Sequence, residues 1–148
     1  MILTIQQAKK EDISELHRLV YELAVFEKDP ESMVATVDEY IEAFEKGLYA
    51  ALIAKDKDKT VGMALYCHTF STWKGQMLYL EDFYVVEEYR HKGIGQLIFD
   101  EFLSIAESNG VRLTKWQVLD WNETALKFYK KNNAVIEKNW WNGKIFFD

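Results

Sequence analysis

Arg90-His91-Lys92-Gly93-Ile94-Gly95 lies where one kind of sequence pattern gives way to another. Residues 77–86, before it, read as a strand. Past it, Ile94, Ile98, Phe102 and Ile105 recur on one helical face, and Asn109-Gly110 supplies the stop. Residues 111–119 read as a further strand. Strand, crossover helix and strand predict a right-handed connection and a locally parallel pair.

Upstream, residues 3–8 alternate apolar and polar, as a half-buried strand does. Asp12-Ile13-Ser14-Glu15 resembles a capping box, and Ile13, Leu16, Val20 and Leu23 carry a helix to about Phe26. Asp29-Pro30 breaks it. A second helix begins at Thr36, with Glu39 three residues on, and stops near Gly47. Residues 48–54 and 61–70 read as strands about a charged turn at 56–59. Downstream, Asn122 caps a short helix, and residues 134–137 and 144–147 read as a terminal hairpin about Asn142-Gly143. The predicted order is β-α-α-β-β-β-α-β-α-β-β in one domain over residues 1–148. This is a mixed α/β sheet without the repeated βα units of a doubly wound fold.

The chain is 49% hydrophobic and 15% aromatic, enough for one domain with a core. Its net charge of -6 argues against general nucleic-acid binding, which needs a basic footprint, and suits a cationic ligand. Cys67 is the sole cysteine, which excludes an internal disulfide and a cysteine zinc cluster. His17, His68 and His91 are too far apart in sequence to form a helical metal pair, so no metal is expected. No apolar run is long enough to span a bilayer, and Met1-Ile2-Leu3-Thr4 reads straight into a strand rather than a signal peptide. A cytoplasmic protein without a membrane or nucleic-acid partner is the expectation.

The opening segment carries chemistry as well as topology. Its glycines let the backbone approach a ligand closely. The first amides of the following helix have no internal partner, and the helix dipole favours an anion there. Arg90, His91 and Lys92 concentrate positive charge at that point. A phosphate or pyrophosphate fits such a place, though an ordinary glycine-rich turn would read the same way. The segment is neither a Walker loop nor the dinucleotide fingerprint.

Arg90-x-x-Gly93-x-Gly95 resembles the acetyl-CoA pyrophosphate motif of the GNAT acetyltransferases, and the element order resembles their fold. Leu80-Glu81-Asp82-Phe83-Tyr84-Val85, residues 116–122 and Phe128-Tyr129-Lys130-Lys131 are similar to the diamine acetyltransferases, which include the spermidine/spermine and thialysine enzymes. Ser71-Thr72-Trp73-Lys74-Gly75 and Leu119-Asp120-Trp121-Asn122 look closer to the thialysine branch. The resemblance runs from near Glu22 to about Ala134. It implies a GNAT fold: a mixed, mostly antiparallel sheet of six to seven strands with a central locally parallel pair, flanked by about four helices. It also implies acetyl-CoA as acyl donor and the primary amine of a small molecule as acceptor.

The same resemblance implies roles residue by residue. The pantetheine arm would run along Phe83, Tyr84 and Val85, where a splayed strand edge could offer free backbone groups. The pyrophosphate would sit at Arg90, His91, Lys92, Gly93, Ile94, Gly95 and Gln96, chiefly on backbone amides. Asn122 would touch the other side of the cofactor, besides capping its helix. Tyr129 would be the general acid, since a phenol with a pKa of about 10 is protonated at neutral pH and can donate to the departing thiolate. Glu81 would be the base, probing a real need: an alkyl ammonium with a pKa of about 10.4 is only about one part in 2,500 neutral at pH 7. Phe26, Glu27, Trp73, Glu81 and Asp82 would meet the cationic acceptor, Trp73 by a cation-π contact.

On a regular strand Glu81 and Phe83 share one face and Asp82 takes the other, so the two carboxylates meet only if the strand bulges. Two departures from the family pattern stand out. Asn133 replaces a glycine after the short helix, and Asn is the second choice for a left-handed C-cap. Ser71 stands where the polyamine branch has an acid, which points away from a long polyamine. Cys67 has no evident activating partner, so no acyl-enzyme is expected. The rival functions are a protein or peptide acetyltransferase, a CoA-binding module without catalysis, and a nucleotide-binding loop. Trp140, Trp141, Phe146 and Phe147 suggest an exposed apolar face and hence a homodimer.

Overall fold

A computed structural model describes residues 1–147. Its described residues form two compact units, Met1–Gln117 and the chain from Val118 onward. The first holds a five-stranded sheet in the order β1-β2-β3-β4-β5. The strands are β1 (Leu3–Gln7), β2 (Ala50–Asp56), β3 (Lys59–Ser71), β4 (Gly75–Val85) and β5 (Leu113–Lys115). The first four pair antiparallel, and β4 with β5 is the predicted parallel pair.

Helix α1 (Ile13–Phe26) packs its Ile13, Leu16, Leu19 and Val20 stripe inward, and α2 (Val37–Glu45) lies beside it. Thr36 caps α2 as predicted, its hydroxyl accepting from the Glu39 amide at 3.2 Å. Asp12 departs from the capping-box reading. Its carboxylate accepts from the Lys9 amide and pairs with Lys55 Nζ, each at 2.8 Å, so it ties the entry of α1 to β2. Helix α3 (Ile94–Ser108) covers the opposite face of the sheet with Ile94, Ile98, Phe99, Phe102 and Ala106. Strands β2 and β3 are sandwiched between the layers, and residues 51–54 and 60–66 are buried almost without break. Gly62 permits that closeness, because a Cβ there would stand 2.9 Å from Ile98 Cδ1 and 3.2 Å from the Tyr84 carbonyl oxygen.

The second unit contains α4 (Glu123–Lys131). Asn122 Oδ1 accepts from the Ala125 amide at 3.2 Å, the predicted cap. Asn133 takes the left-handed conformation, φ 64°, that its C-cap position requires.

Two expectations are corrected. The sheet has five strands rather than six to seven, because residues 134–137 and 144–147 form no strand pairing. Val135, Trp141, Ile145 and Phe147 are all more than four-fifths exposed, and a strand needs a neighbour and a half-buried face. The strand expected over residues 111–119 shrinks to Leu113–Lys115, the stretch in ladder pairing with Met77–Tyr79 of β4.

Candidate active site

The site grows out of an irregularity in β4. Leu65 of β3 faces Asp82, but the next rung pairs Tyr66 with Leu80, so Glu81 is an extra residue in the ladder. Tyr66 packs on Phe102 of α3 and Phe83 packs on Phe99, with ring centroids 5.4 and 5.8 Å apart. Leu80, opposite Tyr66, therefore faces α3 as Phe83 does. A regular strand would put residues 80 and 83 on opposite faces. The bulge restores them to one face and turns both Glu81 and Asp82 toward the α1–α2 side. The bulge condition set by the sequence is met.

Asp82 is half-buried there, and Glu81 is exposed. Burial pushes the Asp82 carboxyl up to about 7, with the negative charges of Glu81 and Glu27 adding to the rise. Glu27, which caps the C-terminus of α1, is itself raised by partial burial. Tyr40 of α2 is strongly raised by burial and then by Asp82, Tyr49 and Glu81. Tyr79 and Cys67 are raised by burial and then by Glu81 and Asp82. Glu27, Glu81 and Asp82 thus form one acidic cluster, and the charge of Glu81 and Asp82 reaches Tyr40, Tyr79 and Cys67. An approaching cation relieves the repulsion within such a patch. Tyr40 and Cys67 escaped the sequence reading as site residues because helical and strand periodicity mark them only as core.

The same strand has an open edge. Among the described residues β5 pairs with Met77–Tyr79, and no strand there pairs with residues 80–85 on that side. The Val86 amide donates to the Val61 carbonyl at 2.9 Å. The backbone groups of Phe83 and Val85 alternate with it and turn to the other side of β4, where the Val85 carbonyl accepts from Arg90 Nε at 3.0 Å.

Beyond β4 the chain turns through Arg90 and enters α3. His91 and Gly93 both take left-handed conformations, φ 62° and 79°. Gly93 is the N-cap of α3, and its carbonyl accepts the first helical bond from Leu97 at 3.2 Å. The Ile94, Gly95 and Gln96 amides therefore sit at the positive end of the helix dipole, ahead of that first bond. The cationic side chains behave differently. Lys92 Nζ folds back over the Tyr89 ring, 5.1 Å from its centroid. Arg90 turns back under α1: its Nε donates to the Val85 carbonyl at 3.0 Å. A cleft of about 400 Å³ lies there, lined in part by Tyr21, Glu22, Phe26, Tyr84, Glu87 and Arg90.

Trp73 is far from these groups. It lies in the turn of the β3–β4 hairpin and is 84% exposed. Six rungs separate Leu65, opposite Asp82, from Ser71 at the hairpin end, which is roughly 20 Å of strand. Ser71 closes that turn, its hydroxyl accepting from the Lys74 amide at 3.1 Å. Tyr129, in the second unit, is buried on α4, with its ring 5.6 Å from that of Phe128. The described residues hold no group of three or more His, Cys, Asp or Glu arranged to hold a metal.

A sheet with a single parallel pair, a bulge in β4 and a glycine turn into α3 has counterparts among known acetyltransferases. A profile of the acetyltransferase (GNAT) family matches residues 11–134, and the chain belongs to that family. The chain is 36% identical to the thialysine N-epsilon-acetyltransferase of Bos taurus, over 88% of this chain and 82% of that one. It is 32% identical to the thialysine N-epsilon-acetyltransferase of Caenorhabditis elegans, over 78% and 72% of the two chains. The fold matches a solved aminoglycoside acetyltransferase from an uncultured soil metagenomic sample with a TM-score of 0.83. That likeness covers 99% of this chain and 97% of the other at 14% identity. The protein is thus an acetyltransferase enzyme, and its relatives by sequence are named for small amine acceptors.

Proposed function

We propose that this chain is an acetyl-CoA-dependent N-acetyltransferase acting on the primary amine of a small cationic acceptor, by direct attack within a ternary complex. The acceptor class is a thialysine-like amino acid, a diamine or a polyamine. The observation that carries the reading is the bulge of β4, which puts Glu81 and Asp82 on one side of a strand whose other edge is open.

The Phe83, Tyr84 and Val85 segment of β4 would run beside the pantetheine arm. The amides of Ile94, Gly95 and Gln96, after the turn of His91, Lys92 and Gly93, would take the pyrophosphate. Family resemblance also gives Asn122 a cofactor contact. The donor supplies an activated thioester. Glu27 and Asp82 would hold the ammonium, with Phe26 beside them. Glu81, through a water, would take the proton before attack, and Tyr129 would return a proton to the departing thiolate. Cys67 supports direct attack: burial and the two carboxylates raise its thiol, the reverse of what a nucleophilic cysteine needs.

The family match crosses the boundary between the two units, which supports one catalytic domain over residues 1–148. The exposed Trp140, Trp141, Phe146 and Phe147 support a homodimer, and light scattering at the 17.4 kDa monomer mass would reject it. A cytoplasmic location is proposed with it; no described helix is long and apolar enough to cross a membrane.

The deciding experiment is a screen of thialysine, diamines, spermidine and lysine peptides with acetyl-CoA, reading thiol release. Amine-dependent release with a free small amine supports the reading. Release with peptides alone makes the chain a peptide acetyltransferase, and CoA binding without release makes it a binding module.

A further inference from the structure

The arginine that opens the glycine turn points away from the place its sequence position suggests. Arg90 has an extended backbone, φ -72° and ψ 160°, and the left-handed His91 then reverses the chain. The amides of α3 and the Arg90 side chain part company at that reversal. The guanidinium carbon lies 5.2 Å from the Phe26 ring centroid and 5.3 Å from that of Tyr84. Its Nε is fixed on the Val85 carbonyl. The Tyr84 hydroxyl reaches Glu22 at 3.4 Å, and Glu22 pairs with Arg18 one turn earlier on α1. A planar cation held by a carbonyl and two aromatic rings is fixed in orientation as well as position.

Phe26 is the last residue of α1, and Glu27 caps it. Glu27 is close enough to Asp82 for its charge to raise that carboxyl. The end of α1 thus has an aromatic contact with Arg90, which is itself fixed on β4.

We propose that Arg90 is a positioning residue for the acceptor end of the site: by bridging the Val85 carbonyl to the Phe26 ring, it holds the end of α1, and with it Glu27, over the β4 carboxylates. Its guanidinium would leave the pyrophosphate to the backbone amides that the functional reading above assigns to it. The consequence for the amine rests on the acetyltransferase reading above; the consequence for Glu27 and Asp82 does not.

The test compares wild type with Arg90→Met, which keeps the stem and loses the cation, Arg90→Lys, and Phe26→Leu, which removes the ring from the other side. The titration of the Asp82 carboxyl is followed by NMR in the protein without ligand, so this arm needs no turnover. Loss of a nearby cation alone would raise the Asp82 midpoint, whereas release of Glu27 from above it would lower it. The expected result is a fall of about 0.5 unit or more in Arg90→Met and in Phe26→Leu, with Arg90→Lys in between. A midpoint that is unchanged or raised in Arg90→Met overturns the proposal. Calorimetry with CoA gives the second arm: affinity within about threefold of wild type in Arg90→Met is expected, and a loss of about tenfold or more overturns it, since a direct phosphate contact costs at least that. With thialysine and spermidine as probes, Arg90→Met should raise KM about fivefold or more while KM for acetyl-CoA holds. A wild type that turns over neither amine sinks the functional reading, and the Asp82 and CoA arms still decide the role of Arg90.

Discussion

Asp82 stands opposite Leu65, while its neighbour Glu81 stands opposite nothing. That one extra residue brings two carboxylates to the same side of β4 and lets Leu80 and Phe83 both serve the core against α3. A strand without it would bury one acid in the α3 layer or expose an apolar side chain instead.

Asp82 should make stability depend on pH. Burial pushes its carboxyl up to about 7 from an ordinary 3.8. Between those values the folded chain holds a proton that the unfolded chain has lost, so this group's contribution to stability is full below about pH 4 and is lost as pH rises to and through about 7. Asp82→Asn removes the buried charge. Its melting temperature relative to wild type should rise between pH 5 and pH 8. A constant difference across that range would show that Asp82 titrates normally.

Acceptor binding should release protons. A bound ammonium offsets the repulsion from Glu81 and Glu27 and draws the Asp82 midpoint down. Calorimetry of amine binding near pH 6.5, run in buffers of different ionisation enthalpy, should show proton release in wild type and little in Asp82→Asn. Equal release in both would place the proton on another group.

Glu81 and Tyr129 should separate in kinetics. Glu81→Gln should lower kcat about tenfold or more at pH 7, with part of the loss recovered as pH rises and more amine becomes neutral. Tyr129→Phe should cut turnover at least about tenfold while CoA still binds. Unchanged turnover in Tyr129→Phe would remove it as the acid.

The two glycines of the turn should respond differently. Gly93 has open space for a Cβ but sits at φ 79°, so Gly93→Ala should cost about 1 kcal/mol and weaken CoA binding. Gly95 has ordinary backbone angles, and a Cβ there would meet Phe83 and Val85 at 3.7 and 3.8 Å. Gly95→Ala should leave the melting temperature within about a degree or two, so any loss of CoA affinity reports the ligand's own approach. Equal destabilisation by both substitutions would contradict this.

Local chemistry was legible from the chain itself. Thr36 and Asn122 name their helix caps, Asn133 names its left-handed stop, and the glycine turn between a strand and a helix names the crossover that makes β4 and β5 parallel. These features depend on residues within a few positions of one another, so spacing and backbone preference suffice to read them. The residues 134–137 and 144–147 show the limit: alternation without a neighbouring strand did not become sheet. Only the tertiary structure decided that β4 bulges at Glu81, that Asp82 is desolvated beside Glu27, and that Arg90 faces Phe26 rather than the helix amides. Each of these depends on which residue stands across the ladder or under the helix, a relation between positions up to 64 residues apart that no local pattern encodes.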